Sequence, residues 1–253
     1  MHSTTVLIDK SDGIGTLTLN RPNVLNAMNL QLVGELGVAI DNMESDTDIR
    51  VVIITGSGNR AFCAGADIHE MRGMSAEDHT RSQKLRYSTQ WKLATCSKPI
   101  IGALNGLCYG GGSVMATSLD FLVGCNLTKF RFLAAAYGQL NATWTLPNLI
   151  GWPRAKELLY TGRIVTGEEA HNIGLLNHLV PANKVLKKSW ELATLIAANY
   201  PTSVQGTKAL VLEGLGHTWK EQWDAEHAAR EQRFKGLSIE KGFRDFISKK
   251  GRN

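Results

Sequence analysis

Three consecutive glycines, Gly110-Gly111-Gly112, follow Asn105-Gly106-Leu107-Cys108-Tyr109 and enter a segment of helical character, Ser113-Val114-Met115-Ala116, that carries no carboxylate. Glycines at a strand-to-helix corner offer bare backbone N–H groups to a ligand oxygen. A second stretch of small residues, Ala61-Phe62-Cys63-Ala64-Gly65-Ala66-Asp67-Ile68, comes after the polar turn Gly56-Ser57-Gly58-Asn59 and reads as a loop. Two such amides converging on one point form an oxyanion hole, in which a single donor is worth roughly 10²–10³ in rate. Glycine also serves tight turns and close helix packing, so the corner alone decides nothing. Neither stretch has G-x-G-x-x-G spacing and no P-loop lysine follows, which argues against dinucleotide and nucleoside-triphosphate binding.

These loops need elements to hold them. Val6-Leu7-Ile8 and Thr16-Leu17-Thr18-Leu19 alternate as strands around the turn Ser11-Asp12-Gly13. Leu32, Val33, Leu36, Ile40 and Met43 mark a helix, and Val51-Val52-Ile53-Ile54 reads as a strand buried on both faces. Ser75, with carboxylates in the turn that follows, opens a helix expected to reach about Ala94. Pro99–Ala103 and Phe121–Val123 are further strands; beyond Trp144 the pattern is helical except for a strand at Asn177–Val180. Trp219, Trp223, His227, Arg230 and Phe234 form a helical stripe suited to packing or to an oligomer surface. Strands alternating with helices, then a helical tail, define an α/β architecture with ligand loops at strand ends.

The 253 residues suffice for one large domain with a helical annex. Without a signal-peptide pattern or a long apolar run, the expectation is a soluble, cytoplasmic protein with no membrane partner. Cys63, Cys96, Cys108 and Cys125 show no metal-ligand spacing and read as small buried thiols. The net charge of +5 arises wholly from Pro181 onward, where 13 Lys/Arg face 8 Asp/Glu. A solvated helical surface explains it, and nucleic acid is not an expected partner.

The motifs in combination carry a family resemblance. Arg21-Pro22 with Asn26-Ala27, Ala61-Phe62 with Ala64-Gly65-Ala66-Asp67-Ile68 and Glu70-Met71, and Lys98-Pro99-Ile100-Ile101 with Asn105-Gly106 and Gly110-Gly111-Gly112 resemble the crotonase (enoyl-CoA hydratase/isomerase) superfamily. Lys156-Glu157-Leu158-Leu159, Thr161-Gly162-Arg163, Glu169-Ala170 and Gly174-Leu175 extend the likeness over nearly the whole chain. The resemblance implies a spiral of ββα turns over residues 1–195 and a helical region over 196–253 that assembles homotrimers, alone or paired into hexamers. It implies an acyl-CoA thioester as ligand, with coenzyme A as part of the substrate, no tightly bound cofactor and no metal. The thioester oxygen would lie between the amides of Ala66 and Gly111. Leu25, Asn26, Ala64, Asp67 and Ile68 would follow the coenzyme A moiety, and the basic C-terminal third would face its phosphates.

What separates family members is the acid or base. Hydratases place one Glu just after the glycine run and another in the loop after the next strand; the matching positions here are Val114 and, in the register set by Phe130, Ala134. Isomerase and dehalogenase branches carry a carboxylate later in that loop, where Gln139 or Asn141 stands. No residue between Leu122 and Arg154 is acidic. A positioned acid or base contributes about 10²–10⁴, so two-Glu hydration is not the expected route.

Candidate replacements are His69, whose ordinary pKa suits proton transfer, and Tyr87, near the position of an assisting His in the dehalogenase branch; Arg86 and His79 are further possible donors. Asp67 and Glu70 read as a helix cap and an ion-pair partner. The acyl pocket would be lined by Tyr109, Val114, Ala134, Tyr137, Gln139 and Trp144. Three readings follow: an acyl-CoA isomerase, C–C hydrolase or lyase, or decarboxylase acting through a thioester enolate; an enoyl-CoA hydratase with relocated acid and base; and a non-catalytic acyl-CoA- or RNA-binding member.

Overall fold

The first hairpin follows from its turn. Asp12 and Gly13 have φ of 52° and 77°, the left-handed pair that a two-residue hairpin requires, and they join β1 (Val6–Ser11) antiparallel to β2 (Ile14–Leu19). The structure, a computed structural model, describes residues 4–248. Asn29 caps α1 (Leu30–Ser45), accepting the Leu32 N–H, and the helix buries the stripe Leu32, Val33, Leu36, Ile40 and Met43.

Next come β3 (Val51–Gly56), β4 (Ala61–Cys63), the single-turn α2 (Ile68–Arg72) and α3 (Ala76–Thr95), capped by Ser75 through the Asp78 N–H. The stretch 61–68 is thus not all loop, because its first three residues pair as a strand. Then follow β5 (Ile100–Ala103), β6 (Leu107–Tyr109), α4 (Gly111–Thr117), β7 (Phe121–Gly124) and β8 (Lys129–Arg131). Beyond them lie α5 (Leu146–Ile150), α6 (Trp152–Thr161), β9 (Val165–Thr166), α7 (Gly167–Asn172), β10 (His178–Leu179) and α8 (Val185–Ala197). The helical expectation after Trp144 overlooked β9, which pairs antiparallel with β8.

The sheets show the spiral. One has the order β1-β2-β3-β5-β7-β10 and the other β4-β6-β8-β9. Each ββα turn therefore places one strand in each sheet, and β3-β5-β7 and β4-β6-β8 step forward in parallel. Strand β3 is apolar on both faces because each face feeds a different core. Val52 and Ile54 join Ile100, Leu122 and the α1 stripe, whereas Val51 and Ile53 join Ile101, Val123 and the inner face of α8.

By packing, the chain divides into two compact units, Met1–Ala197 and Ala198–Asn253. The second holds α9 (Pro201–Glu213), α10 (Trp219–Gln232), α11 (Ile239–Gly242) and α12 (Arg244–Ser248). Its aromatic stripe divides in two. Trp219 is 90% exposed and Trp223 stacks on His227, their ring centroids 3.9 Å apart. Phe234 instead packs over Gly206 of α9, where an added Cβ would stand 2.7 Å from the ring.

Candidate active site

Residues 25–28 and 64–67 are zipped together by their backbones. Ala64 N–H donates to Leu25 O at 3.0 Å, Met28 N–H to Gly65 O at 2.7 Å and Asp67 N–H to Met28 O at 3.0 Å. Met28 and Ala66 thus form a parallel bridge in which the neighbours of Ala66 make the bonds. The N–H of Ala66 itself faces the opposite side.

On that side lies the glycine corner. Gly110, with φ 49° and ψ −118°, turns the chain so that Gly111 becomes the first residue of α4, whose N–H has no intrahelical acceptor. A Cβ placed on Gly111 would lie 3.6 Å from the Ala66 nitrogen, and one on Gly65 would lie 3.1 Å from the Gly111 nitrogen. Gly112 allows this approach, since a Cβ there would be 2.0 Å from Cys63 O. Ser113 locks the corner, accepting the Arg131 N–H at 3.2 Å and donating to Cys108 O. Among the described residues neither the Ala66 nor the Gly111 N–H has a backbone acceptor outside regular elements.

Both residues line a cavity of about 240 Å³. Its apolar wall includes Val33, Leu36, Leu93, Val114 and Met115. Its polar wall is one face of α3, where Gln83, Arg86, Tyr87 and Gln90 recur at helical spacing, joined by Gln139 and Asn141 from the loop after β8. Arg86 and Asn141 appeared in the sequence only as secondary candidates, and Gln83 and Gln90 went unnoticed. Their three-and-four spacing was the available signal.

Of the expected site residues, Ala66, Gly111, Tyr87, Val114 and Gln139 meet at this cavity. Others lie elsewhere. His69 is exposed on α2 and is not among the lining residues. Tyr109 and Ala134 are half-buried outside it, and Tyr137, at the end of a single 3-10 turn, is 72% exposed. Trp144 packs against Trp91 on α3, ring centroids 6.0 Å apart. Aromatic character suggested a pocket lining for Tyr109, Tyr137 and Trp144, and the Phe130 register suggested it for Ala134; the three-residue strand β6 and the irregular segment after β8 show no periodicity that would assign a face.

Of the residues expected along coenzyme A, Ile68 is exposed, and Leu25 and Ala64 are half-buried. Asn26 is fully buried and uses its amide internally: Nδ2 donates to Ser57 O at 3.0 Å and Ala61 O at 2.9 Å, and Oδ1 accepts the Arg21 N–H at 3.0 Å. That makes it a backbone clasp for the first loop. Asp67 caps α2 and pairs with Arg21 at 2.8 Å. Burial works to raise its pKa, but hydrogen bonds from Arg21 and the Glu70 N–H outweigh it and hold the carboxyl below the ordinary value.

Glu70 accepts the Leu30 N–H at 2.9 Å and stands 3.9 Å from Arg86. Burial pushes the Arg86 pKa down, opposed by the Glu70 charge. Cys63, beside the first loop, is pushed up to about 12 by burial, which excludes a thiolate nucleophile near neutral pH. Among the described residues no group of three or more His, Cys, Asp or Glu is placed to hold a metal, and no helix is long and apolar enough to cross a membrane.

Two residues with bare backbone N–H groups, Ala66 and Gly111, thus line one cavity of an α/β protein built as a two-sheet spiral. The chain belongs to the enoyl-CoA hydratase/isomerase family, which it matches over residues 9–253. It is 31% identical over 218 residues to the short-chain-enoyl-CoA hydratase of Clostridium acetobutylicum, covering 85% of this chain and 84% of that one. To the crotonyl-CoA hydratase of Syntrophomonas wolfei it is 32% identical over 213 residues, covering 83% and 82%. Among solved structures, the enoyl-CoA hydratase from Bacillus anthracis superposes with a TM-score of 0.92 at 30% identity, covering 98% of this chain and 100% of that one.

Proposed function

We propose that this protein binds an acyl-CoA thioester and stabilises the negative charge that develops on its carbonyl oxygen between the N–H groups of Ala66 and Gly111. The convergence of those two donors at the wall of one cavity carries the reading. Donors preorganised for an oxyanion lower the barrier to any reaction that passes through an enolate.

Within that class the relatives, named as enoyl-CoA hydratases, favour hydration over the isomerase, C–C hydrolase or decarboxylase reading drawn from the sequence. In hydration water adds to the β-carbon of an enoyl thioester, and the oxyanion hole takes the charge. The cavity bears on how water is activated. Val114 is apolar and 5% exposed, and no Asp or Glu is among the described residues that line the cavity. Acid and base would therefore come from positions other than those of a two-Glu hydratase. That same apolar lining favours the second reading, an enolate formed without water addition.

Crotonyl-CoA separates the two. Loss of enoyl absorbance, abolished by Gly111→Pro, establishes hydration. Intact crotonyl-CoA together with exchange of the Cα proton of a saturated acyl-CoA in D₂O establishes the second reading. If no thioester reacts or exchanges, the protein only binds. We further propose residues 196–253 as the oligomerisation region of a homotrimer or hexamer, for which light scattering gives the mass.

A further inference from the structure

We propose that Arg86 determines specificity by receiving a carboxylate on the acyl group, so that the cavity takes a short dicarboxylic acyl-CoA. The proposal rests on reading the cavity as an acyl site.

The first observation is an unmade bond. The Arg86 side chain is 16% exposed. Its Nε donates to Ser82 Oγ at 3.3 Å and its Nη2 to Met28 O at 3.0 Å, while Nη1 is buried without a hydrogen-bond partner. A guanidinium stays charged at neutral pH and presents its donors as a rigid fork matched to a carboxylate. A buried cation with an unpaired donor is costly, and an acceptor brought by a ligand removes that cost.

The protein's own acid does not fill the role. Glu70 Oε2 stands 3.9 Å from Nη2, beyond hydrogen-bond reach, and is engaged by the Leu30 N–H. Among the described residues that line the cavity, Arg86 carries the one formal charge. Around it are amides. Asn141 Oδ1 is also buried without a partner, and a half-turn of its terminal torsion exchanges that acceptor for an NH₂ donor. Gln83, Gln90 and Gln139 complete a wall that hydrogen-bonds without adding negative charge.

Position limits the ligand. Nη2 is bonded to the carbonyl of Met28, the residue bridged to Ala66, and Arg86, Ala66 and Gly111 line the same cavity. A carboxylate within a few bonds of the thioester suits a shared cavity of about 240 Å³.

The test uses the full chain and matched saturated thioesters, which cannot be hydrated. Butyryl-CoA is compared with succinyl-CoA, and pentanoyl-CoA with glutaryl-CoA, by isothermal titration. The wild type should bind the carboxylate-bearing member of at least one pair about tenfold tighter or more. In Arg86→Gln that ratio should fall below about threefold, and Arg86→Lys should keep part of it. Equal affinities within both pairs, or a preference that survives in Arg86→Gln, overturns the proposal while leaving acyl-CoA binding intact. Failure of every thioester to bind overturns both readings. Should Arg86→Gln lose its circular-dichroism spectrum, the wild-type ratio and Arg86→Lys decide.

Discussion

The Arg21 guanidinium lies 2.8 Å from the Asp67 carboxylate, and both side chains are largely withdrawn from water. This pair ties the turn before α1 to the cap of α2 at the end of the first loop. Asp67→Asn keeps a good N-cap and removes only the charge, which should cost about 1–3 kcal/mol. The folded-state pKa of Asp67 lies below its unfolded value, so its contribution is present above about pH 4 and is lost as pH falls through the lowered folded value. Urea midpoints of the two proteins should differ at pH 7 and converge below about pH 4.

Neighbouring glycines at the corner should fail in different ways. Proline is tolerated at the first position of a helix, so Gly111→Pro removes the N–H while α4 persists. Turnover should fall by roughly 10²–10³, with a smaller loss of melting temperature than in Gly112→Ala, because a Cβ at 111 would stand 2.7 Å from the end of the flexible Met28 side chain rather than from backbone. Gly112→Ala leaves every donor in place but drives a Cβ to 2.0 Å from Cys63 O. It should destabilise by about 3 kcal/mol, read as a lower melting temperature.

These contrasts mark what the sequence can disclose. Strand β3 was legible because burial on both faces demands four consecutive apolar residues, and the Asp12-Gly13 turn because few residues adopt positive φ. The two-residue β9 and three-residue β4 were not, since neither is long enough to show alternation. At the site, small residues pointed to the two loops whose N–H groups are proposed to face the thioester oxygen. Helical spacing on α3 could reveal a shared face for Gln83, Arg86 and Gln90, yet only the folded chain shows that this face meets Ala66 and Gly111.

Thiol chemistry gives a separate check on the packing around the first loop. All four cysteines are buried, and burial pushes Cys63 to about 12 and Cys108 well above its ordinary value. Since the thiolate is the reactive form, the native protein at pH 8 should resist alkylation by iodoacetamide on a scale of hours. Four alkyl groups should add, by mass, once urea exceeds the unfolding midpoint.

Val114 offers the sharpest test of the acid–base question. It lines the cavity three residues beyond Gly111, where the family resemblance implies a hydratase glutamate. Val114→Glu places a carboxyl in apolar surroundings, which should raise its pKa and cost about 1–3 kcal/mol. A group so placed can hand a proton to the enolate carbon or activate water, with gains of the order of 10²–10⁴ where geometry allows. Crotonyl-CoA hydration should therefore rise in the variant, or appear if the wild type lacks it. A fall in a strong wild-type hydration rate would mean that the substrate needs apolar surface at 114 and that this chain already activates water elsewhere. Measured beside Arg86→Gln, the two outcomes separate the residue that moves the proton from the residue that holds the acyl group.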